Sequence, residues 1–281
     1  MSHSRPTTAE KRQAFRKLHE AGCFVIPNPW SVGTARYLQG LGFKALATTS
    51  AGHAHSLGFP DGGQNIDAVL AHYRELAEAS DVPLNADFEN GFADDPDGVA
   101  ANVTRCIATG VAGLSVEDSP KDARPLYELD AAVVRIKAAR AAVDRAGGDV
   151  VLTARAENFI RGVPDLDDVI RRLKAYASAG ADCLYAPGIR TREQIEAVVK
   201  AAAPKPVNFL AGWAMDFKVN DIAAMGVRRI SVGGSLARAA MQAFVKTATE
   251  IANEGKFDGF AGLVSNAELN KFFSEDRKTL S

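Results

Sequence analysis

Eight short apolar runs recur along the chain, each followed by a longer stretch of helical periodicity, and neither a linker nor a shift in composition interrupts the alternation. The runs lie at approximately Cys23–Pro27, Ala45–Thr49, Leu84–Asp87, Gly113–Glu117, Val150–Ala154, Cys183–Ala186, Val207–Leu210 and Arg229–Val232, each bounded by Gly, Pro, Asn or Asp. Continuous apolar runs with such punctuation read as strands buried on both faces of a parallel sheet. Several of the intervening segments, DLDDVIRRLKAYASAG among them, open on Asp, Asn, Ser or Thr and close on Gly, which is helix start and stop chemistry. Eight such units predict an α/β fold, a (β/α)8 TIM-type barrel forming one domain over residues 1–281, with a doubly wound sheet as the alternative. An N-terminal helix over Thr8–Glu20 precedes the first strand, and residues 240–281 form a C-terminal helical extension. In that extension Phe257, Phe260, Leu263, Leu269, Phe272 and Phe273 need burial, either on a neighbouring subunit or back on their own barrel.

Charge and cysteine usage narrow the function classes. With Lys+Arg at 33 against Asp+Glu at 34 there is no basic excess, so neither nucleic acid nor an acidic membrane surface is an expected partner, and a small molecule is. Cys23, Cys106 and Cys183 are widely spaced with no CxxC, which argues against a disulfide framework or a zinc site and for a reducing cytosol. The N-terminal stretch is polar without a signal-peptide core, and no run approaches the roughly 18 apolar residues of a membrane span. A cytoplasmic protein is expected.

The chemistry concentrates where the strands run out, the end at which α/β folds carry their sites. Asp87 and Glu89 close the third run, with D-x-E spacing that sets both carboxylates on one side of an extended segment. Such hard oxygen donors suit Mg²⁺, which takes one or two carboxylates and keeps several waters; helix capping or pairing with basic neighbours is the alternative. Glu117 and Asp118 close the fourth run, and carboxylates crowded at one mouth repel unless a cation sits among them. Arg155 closes the fifth, suited to clamp a substrate carboxylate bidentately, to form a salt bridge with Glu117 or Glu157, or to do both. Ser50-Ala51-Gly52 follows the second run with small residues that leave backbone N–H groups open to an anion. Gly233-Gly234 stands before the eighth helix, where many barrels hold phosphate, or forms a tight turn there.

Taken together, TSAGHAHSLGFPDG, NADFENGFADDP, GLSVEDS, LTARAENFIRG and SAGADCLYAPG resemble the isocitrate lyase/phosphoenolpyruvate mutase superfamily, in register from about Asn28 to Gly234. The resemblance implies a Mg²⁺-dependent (β/α)8 barrel and a homo-oligomer, dimer or tetramer, with a helix swapped between subunits. It matches the family's D-x-D-x-G metal motif to Asp87-Phe88-Glu89-Asn90-Gly91, with Asp87 the direct ligand and Glu89 and Glu117 ligands through water. The resemblance matches Ser50, Ala51, Gly52 and Arg155 to substrate-binding residues and Asp61, Glu117 and Arg155 to catalytic ones; Asn208 is a further candidate for substrate binding and Lys121 for catalysis. The shared chemistry is formation of a pyruvate-type enolate from a 2-oxo or 2-hydroxy acid.

The departures sharpen the expectation. Lyases of this superfamily carry a K-x-C-G-H loop after the fourth strand, whereas this chain runs from Ser119 to Tyr127 without cysteine or histidine. Phosphonomutases place a histidine after the sixth strand, where this chain has Tyr185-Ala186-Pro187-Gly188. ARAENFIRG is similar to the mutase and phosphonopyruvate-hydrolase side, and the missing cysteine to oxaloacetate-decarboxylating members. The proton-transfer residue is left among Lys121, Arg124, Tyr127, His53 and His55. The expected activity is a Mg²⁺-dependent carbon–carbon lyase acting beside a 2-oxo acid carboxylate. P–C bond chemistry on phosphonopyruvate-like substrates is the first alternative, and a non-catalytic 2-oxo acid binding protein is the second.

Overall fold

A computed structural model describes residues 5–121 and 125–278. Its strands are β1 (Phe24–Ile26), β2 (Leu46–Ala47), β3 (Leu84–Asp87), β4 (Gly113–Glu117), β5 (Val151–Arg155), β6 (Cys183–Tyr185), β7 (Val207–Leu210) and β8 (Arg229–Ser231). The helices are α1 (Thr8–Leu18), α2 (Val32–Gly40), α3 (Ser50–Ser56), α4 (Ile66–Ala79), α5 (Pro96–Ile107) and α6 (Leu129–Arg145), then α7 (Leu166–Ser178), α8 (Arg192–Ala202), α9 (Val219–Ala224), α10 (Ser235–Glu254) and α11 (Asn266–Lys278). The sheet is parallel throughout, in the order β1-β8-β7-β6-β5-β4-β3-β2. That order is a nearly closed barrel of the TIM type, and the doubly wound alternative is excluded.

Main-chain and side-chain bonds draw the β1–β2 seam together. The Ala47 amide donates to the Pro27 carbonyl at 3.0 Å. Asn28 donates from Nδ2 to the Thr48 carbonyl at 2.8 Å and accepts the Val232 and Gly233 amides at 2.9 Å each, so one side chain ties β1, β2 and β8.

Alternation along the strands divides the residues between two layers. Leu84, Ala86, Leu114, Val116, Leu152, Ala154, Leu184, Phe209 and Ile230 face outward into the core shared with the helices. A smaller cluster of Phe15, Ile26, Ala45, Ala47, Ala112, Val151 and Cys183 closes the end of the barrel beneath α1. Phe15 is fully buried there, and a Cβ on Gly113 would sit 2.5 Å from its ring, so glycine at 113 is what lets α1 plug the barrel. The start of α1 is set by a capping box in which Glu10 accepts from the Thr7 amide at 2.7 Å.

The C-terminal segment packs back on its own chain only in part. Phe272 packs on Tyr37, with ring centroids 4.8 Å apart, and occupies the space a Cβ on Gly40 would need. Asp276 pairs with Arg36 at 2.6 Å, so α11 docks on α2 of its own chain. By contrast α10 has no buried residue, and Met241, Phe244, Val245, Phe257, Phe260 and Leu263 are exposed, Phe244 at 67%.

Candidate active site

The carboxylates and arginine of the strand ends meet at one mouth of the barrel. Asp87 and Glu117 are the last residues of β3 and β4, and Arg155 is the last of β5, in register with Glu117 on one side and Tyr185 on the other. Arg155 donates from Nη1 to Asp87 Oδ1 at 2.6 Å and from Nε to Glu157 Oε1 at 2.8 Å, and its Nη2 lies 3.3 Å from Glu117 Oε2. The salt-bridge reading of Arg155 therefore holds for both glutamates. The other Asp87 oxygen accepts the Ser50 amide and hydroxyl, each at 3.1 Å. Glu89, with a left-handed backbone at φ 44°, turns its carboxylate to Lys121 Nζ at 2.9 Å. Lys121 also reaches the Gly62 carbonyl at 3.4 Å, so the loop after β4 is laid over the loop after β2.

Two adjoining cavities open here. The inner one, about 180 Å³, is lined by Ser50, Ala51, Asp87, Arg155, Tyr185, Asn208 and Arg229 among others; the outer one, about 390 Å³, by Glu89, Glu117, Lys121 and Glu157. Ser50, Asp61 and Arg155 border both. Burial pushes Glu117 well above the usual carboxylate range, with Arg155 opposing and Glu157 and Asp87 adding repulsion. Burial likewise raises Glu89 and Glu157, against the pull of Lys121 and Arg155 respectively. Tyr185 is pushed up to about 12 by burial despite Arg155, so it stays a phenol at neutral pH.

Several expected residues lie elsewhere. Asp118 is not at the mouth: one residue past Glu117 it points outward, accepting from Tyr176 at 2.5 Å, Arg172 at 3.1 Å and the Glu157 amide at 2.9 Å. Ser50-Ala51-Gly52 is the first turn of α3 rather than an open turn. The Ser50 amide serves Asp87, and the buried Gly52 amide caps on Thr49 Oγ1 at 3.2 Å, away from both cavities. Ala51, which lines the inner cavity, has an amide with no acceptor among the described residues. His53 stacks on His72 with ring centroids 3.5 Å apart, and His55 lines a different cavity beside α10. The buried Tyr127 hydroxyl is engaged with Asp94 and accepts from Asn90 at 3.2 Å. None of these three reaches the mouth, and Arg124 lies outside the described residues.

Of the remaining expected residues, Asp61 stands exposed between the cavities and Asn208 lines the inner one, with Gly233 and Gly234 beside it. Among the described residues no three His, Cys, Asp or Glu side chains already converge as a cage for a cation. The donor chemistry nevertheless fits a hydrated Mg²⁺: Asp61, Asp87, Glu89, Glu117 and Glu157 outnumber Lys121, Arg155, Arg161 and Arg229 around the cavities, and Mg²⁺ needs only one or two direct carboxylates.

A (β/α)8 barrel with acidic and arginine side chains at the C-terminal ends of β3, β4 and β5 defines a class of enzyme sites. Residues 15–252 match the family described as phosphoenolpyruvate phosphomutase, and the chain belongs to that family, within the isocitrate lyase/phosphoenolpyruvate mutase superfamily of enzymes. A candidate lyase/mutase from Burkholderia cenocepacia J2315 superposes with a TM-score of 0.90 at 45% identity, covering 95% of this chain and 96% of that one. A phosphonopyruvate hydrolase solved with oxalate and Mg²⁺ gives a TM-score of 0.83 at 28% identity, over 95% and 96% of the two chains. The oxaloacetate decarboxylase of Rhodopseudomonas palustris is 28% identical over 283 residues, 95% of this chain and 94% of that one. No helix among the described residues is long and apolar enough to cross a membrane.

Proposed function

We propose that the chain is a Mg²⁺-dependent lyase that makes or breaks a C–C bond beside the carboxylate of a 2-oxo or 2-hydroxy acid through a pyruvate-type enolate. The observation that carries this is Asp87, whose two oxygens meet Arg155 and Ser50 and so join the candidate ligand, the guanidinium and the small-residue turn at one point. Asp87, Glu89 and Glu117 would hold the cation, which when bound supplies Lewis-acid stabilisation of negative charge on the 2-oxo group.

The protein's own groups do the rest. Arg155 is anchored through Nε on the buried Glu157, which leaves its two Nη groups to turn from Asp87 and Glu117 to a substrate carboxylate. The Ala51 amide and Asn208 orient that carboxylate within the inner cavity. Lys121 on the loop after β4 carries a proton at Nζ, and Asp61 stands beside the reacting carbon at the junction of the cavities. The exposed apolar face of α10 supports a homo-oligomer, dimer or tetramer, in which a helix is exchanged between subunits. The one-domain organisation over residues 1–281 and a cytoplasmic location belong to the same reading.

Calorimetric titration of oxalate, a mimic of the pyruvate enolate, with Mg²⁺ and then with a chelator tests the site. Mg²⁺-dependent binding, lost in Asp87→Ala, is expected; binding that ignores both the chelator and the substitution would refute it. Incubation with oxaloacetate and with phosphonopyruvate, followed by carbon and phosphorus NMR, then separates C–C from P–C cleavage.

A further inference from the structure

The floor of the inner cavity holds a buried cation that the reading above does not use. Arg229, the first residue of β8, is 3% exposed and lines the cavity. It donates from Nε to Asn208 Oδ1 at 2.7 Å, from Nη2 to Thr153 Oγ1 at 3.0 Å and from Nη1 to Asn85 Oδ1 at 3.5 Å. Nη1 also lies 3.4 Å from His19 Nε2. All of these partners are neutral. His19 Nδ1 is bonded to the Phe15 carbonyl at 2.7 Å, which leaves Nε2 as the acceptor, and burial with the charge of Arg229 presses the imidazole down to about 3.

Other buried arginines are compensated in different ways. Arg36 is neutralised by Asp81 and Asp276, and Arg172 by Asp168 and Asp118. Arg135 donates to the main-chain carbonyls of Asn90, Ala93 and Asp94 and lines neither cavity. Arg229 alone of these faces a cavity, and among the described residues it has no carboxylate within ion-pair distance. A desolvated charge without a counter-ion is costly, and a ligand anion entering the cavity offsets that cost. Arg229 also fixes a neighbour. With Asn208 Oδ1 held by Arg229, the amide nitrogen is turned to Ser231 Oγ at 2.9 Å, so this side chain presents a donor rather than an acceptor on that side.

We propose that Arg229 is a specificity-determining positioning residue, whose charge beneath the cavity favours a dianionic ligand over a monoanion and whose Nε fixes the orientation of Asn208. The inference rests on the reading of the site as one for 2-oxo acids.

The test compares oxalate with oxamate, nearly the same shape with one charge fewer, by calorimetry in the presence of Mg²⁺. Arg229→Met and Arg229→Gln should weaken oxalate about tenfold and oxamate less, so the oxalate preference shrinks by roughly threefold or more. Arg229→Lys should keep most of the preference. Proton NMR of His19 supplies a second readout: its pKa should rise in the Met and Gln variants and stay low in Lys. A folding defect alone would weaken both ligands alike. An unchanged preference in Arg229→Met or Arg229→Gln would overturn the role while leaving the site reading intact, and absence of oxalate binding by the parent protein would overturn both.

Discussion

Replacing Arg155 separates its structural from its functional part. The guanidinium joins Asp87, Glu117 and Glu157, whose side chains are 20%, 19% and 3% exposed. A methionine fills much of the same volume but leaves the Glu157 carboxylate, buried among acidic neighbours, without a cation. Breaking a buried pair on one side costs about 3–5 kcal/mol. Lysine keeps the charge yet cannot span three carboxylates, and losing the charge-assisted bonds it cannot make costs about 3 kcal/mol. For a chain of this size that lowers the melting temperature by roughly 6–12 °C. Urea unfolding and thermal melts at pH 7 without divalent cation measure this. In parallel, oxalate affinity with Mg²⁺ should fall by at least about tenfold in Arg155→Lys, because the bidentate fork is gone. A Lys variant within about 1 kcal/mol of the parent would mean that solvent screens the cluster as it screens surface pairs. A stability loss with oxalate affinity unchanged would make Arg155 a scaffold residue and refute its place in substrate binding.

Gly113→Ala should cost about 1–3 kcal/mol by overpacking, because the new methyl would lie 2.5 Å from the Phe15 ring and 3.1 Å from the Val151 carbonyl oxygen; an unchanged urea midpoint would show that α1 does not plug the barrel. Asp81 predicts an acid limb of stability. Burial works against its charge, but hydrogen bonds from Gln39, Arg36 and Arg5 outweigh that and hold it at about 2 against an ordinary 3.8. A depressed carboxylate stabilises fully above its unfolded value and loses that contribution as pH falls through the folded one. Roughly 1 kcal/mol, discounted for solvent screening, should therefore disappear between about pH 4 and pH 2 and be missing from Asp81→Asn. Parallel pH profiles for the two proteins would contradict this. Lys121→Ala removes a half-exposed partner of Glu89, so stability should move by less than about 1 kcal/mol while turnover of a 2-oxo acid substrate falls; unimpaired turnover would remove Lys121 from the chemistry.

Legibility in the sequence followed local signal. The bounds of β3, β4 and β7 read directly from apolar runs that end in charge or glycine, and Asp87, Glu117 and Arg155 followed as residues at strand ends. The helix α3 was hidden because SAGHAHS has no apolar period; it is held by the Thr49 cap and by Gly52, where a Cβ would lie 3.0 Å from Ala237 on α10, a contact distant in sequence. Asp118 shows the limit of proximity along the chain, since one residue along a strand reverses the face. Arg229 did carry a readable sign. Asn85-x-Asp87, Ser115-x-Glu117, Thr153-x-Arg155 and Arg229-x-Ser231 repeat a polar residue at every second strand position, the period of a polar layer facing inward. Its neutral surroundings were not readable, because they depend on which side chains of four other elements meet it across the barrel.

The charge layout also predicts an order of binding. A dianion approaching this cavity first meets Asp61, Asp87 and Glu89 at the mouth, where Lys121 and Arg155 only partly offset them, and reaches Arg229 last. Like charges about 4 Å apart repel by about 4 kcal/mol at the effective dielectric of a protein surface, so the acid should enter poorly until a divalent cation has inverted the field at the mouth. Oxalate affinity should therefore fall at least about 100-fold when Mg²⁺ is chelated, a coupling of roughly 3 kcal/mol. Linkage requires the reverse as well: Mg²⁺ must bind tighter by the same factor when oxalate is saturating. The two titrations are independent measurements of one number. Agreement between them would place cation and acid in one thermodynamic cycle. Oxalate binding equally well without the cation would mean that Arg155 and Arg229 suffice for the anion, and that the carboxylates of the mouth serve to hold Arg155 and Lys121 rather than a metal.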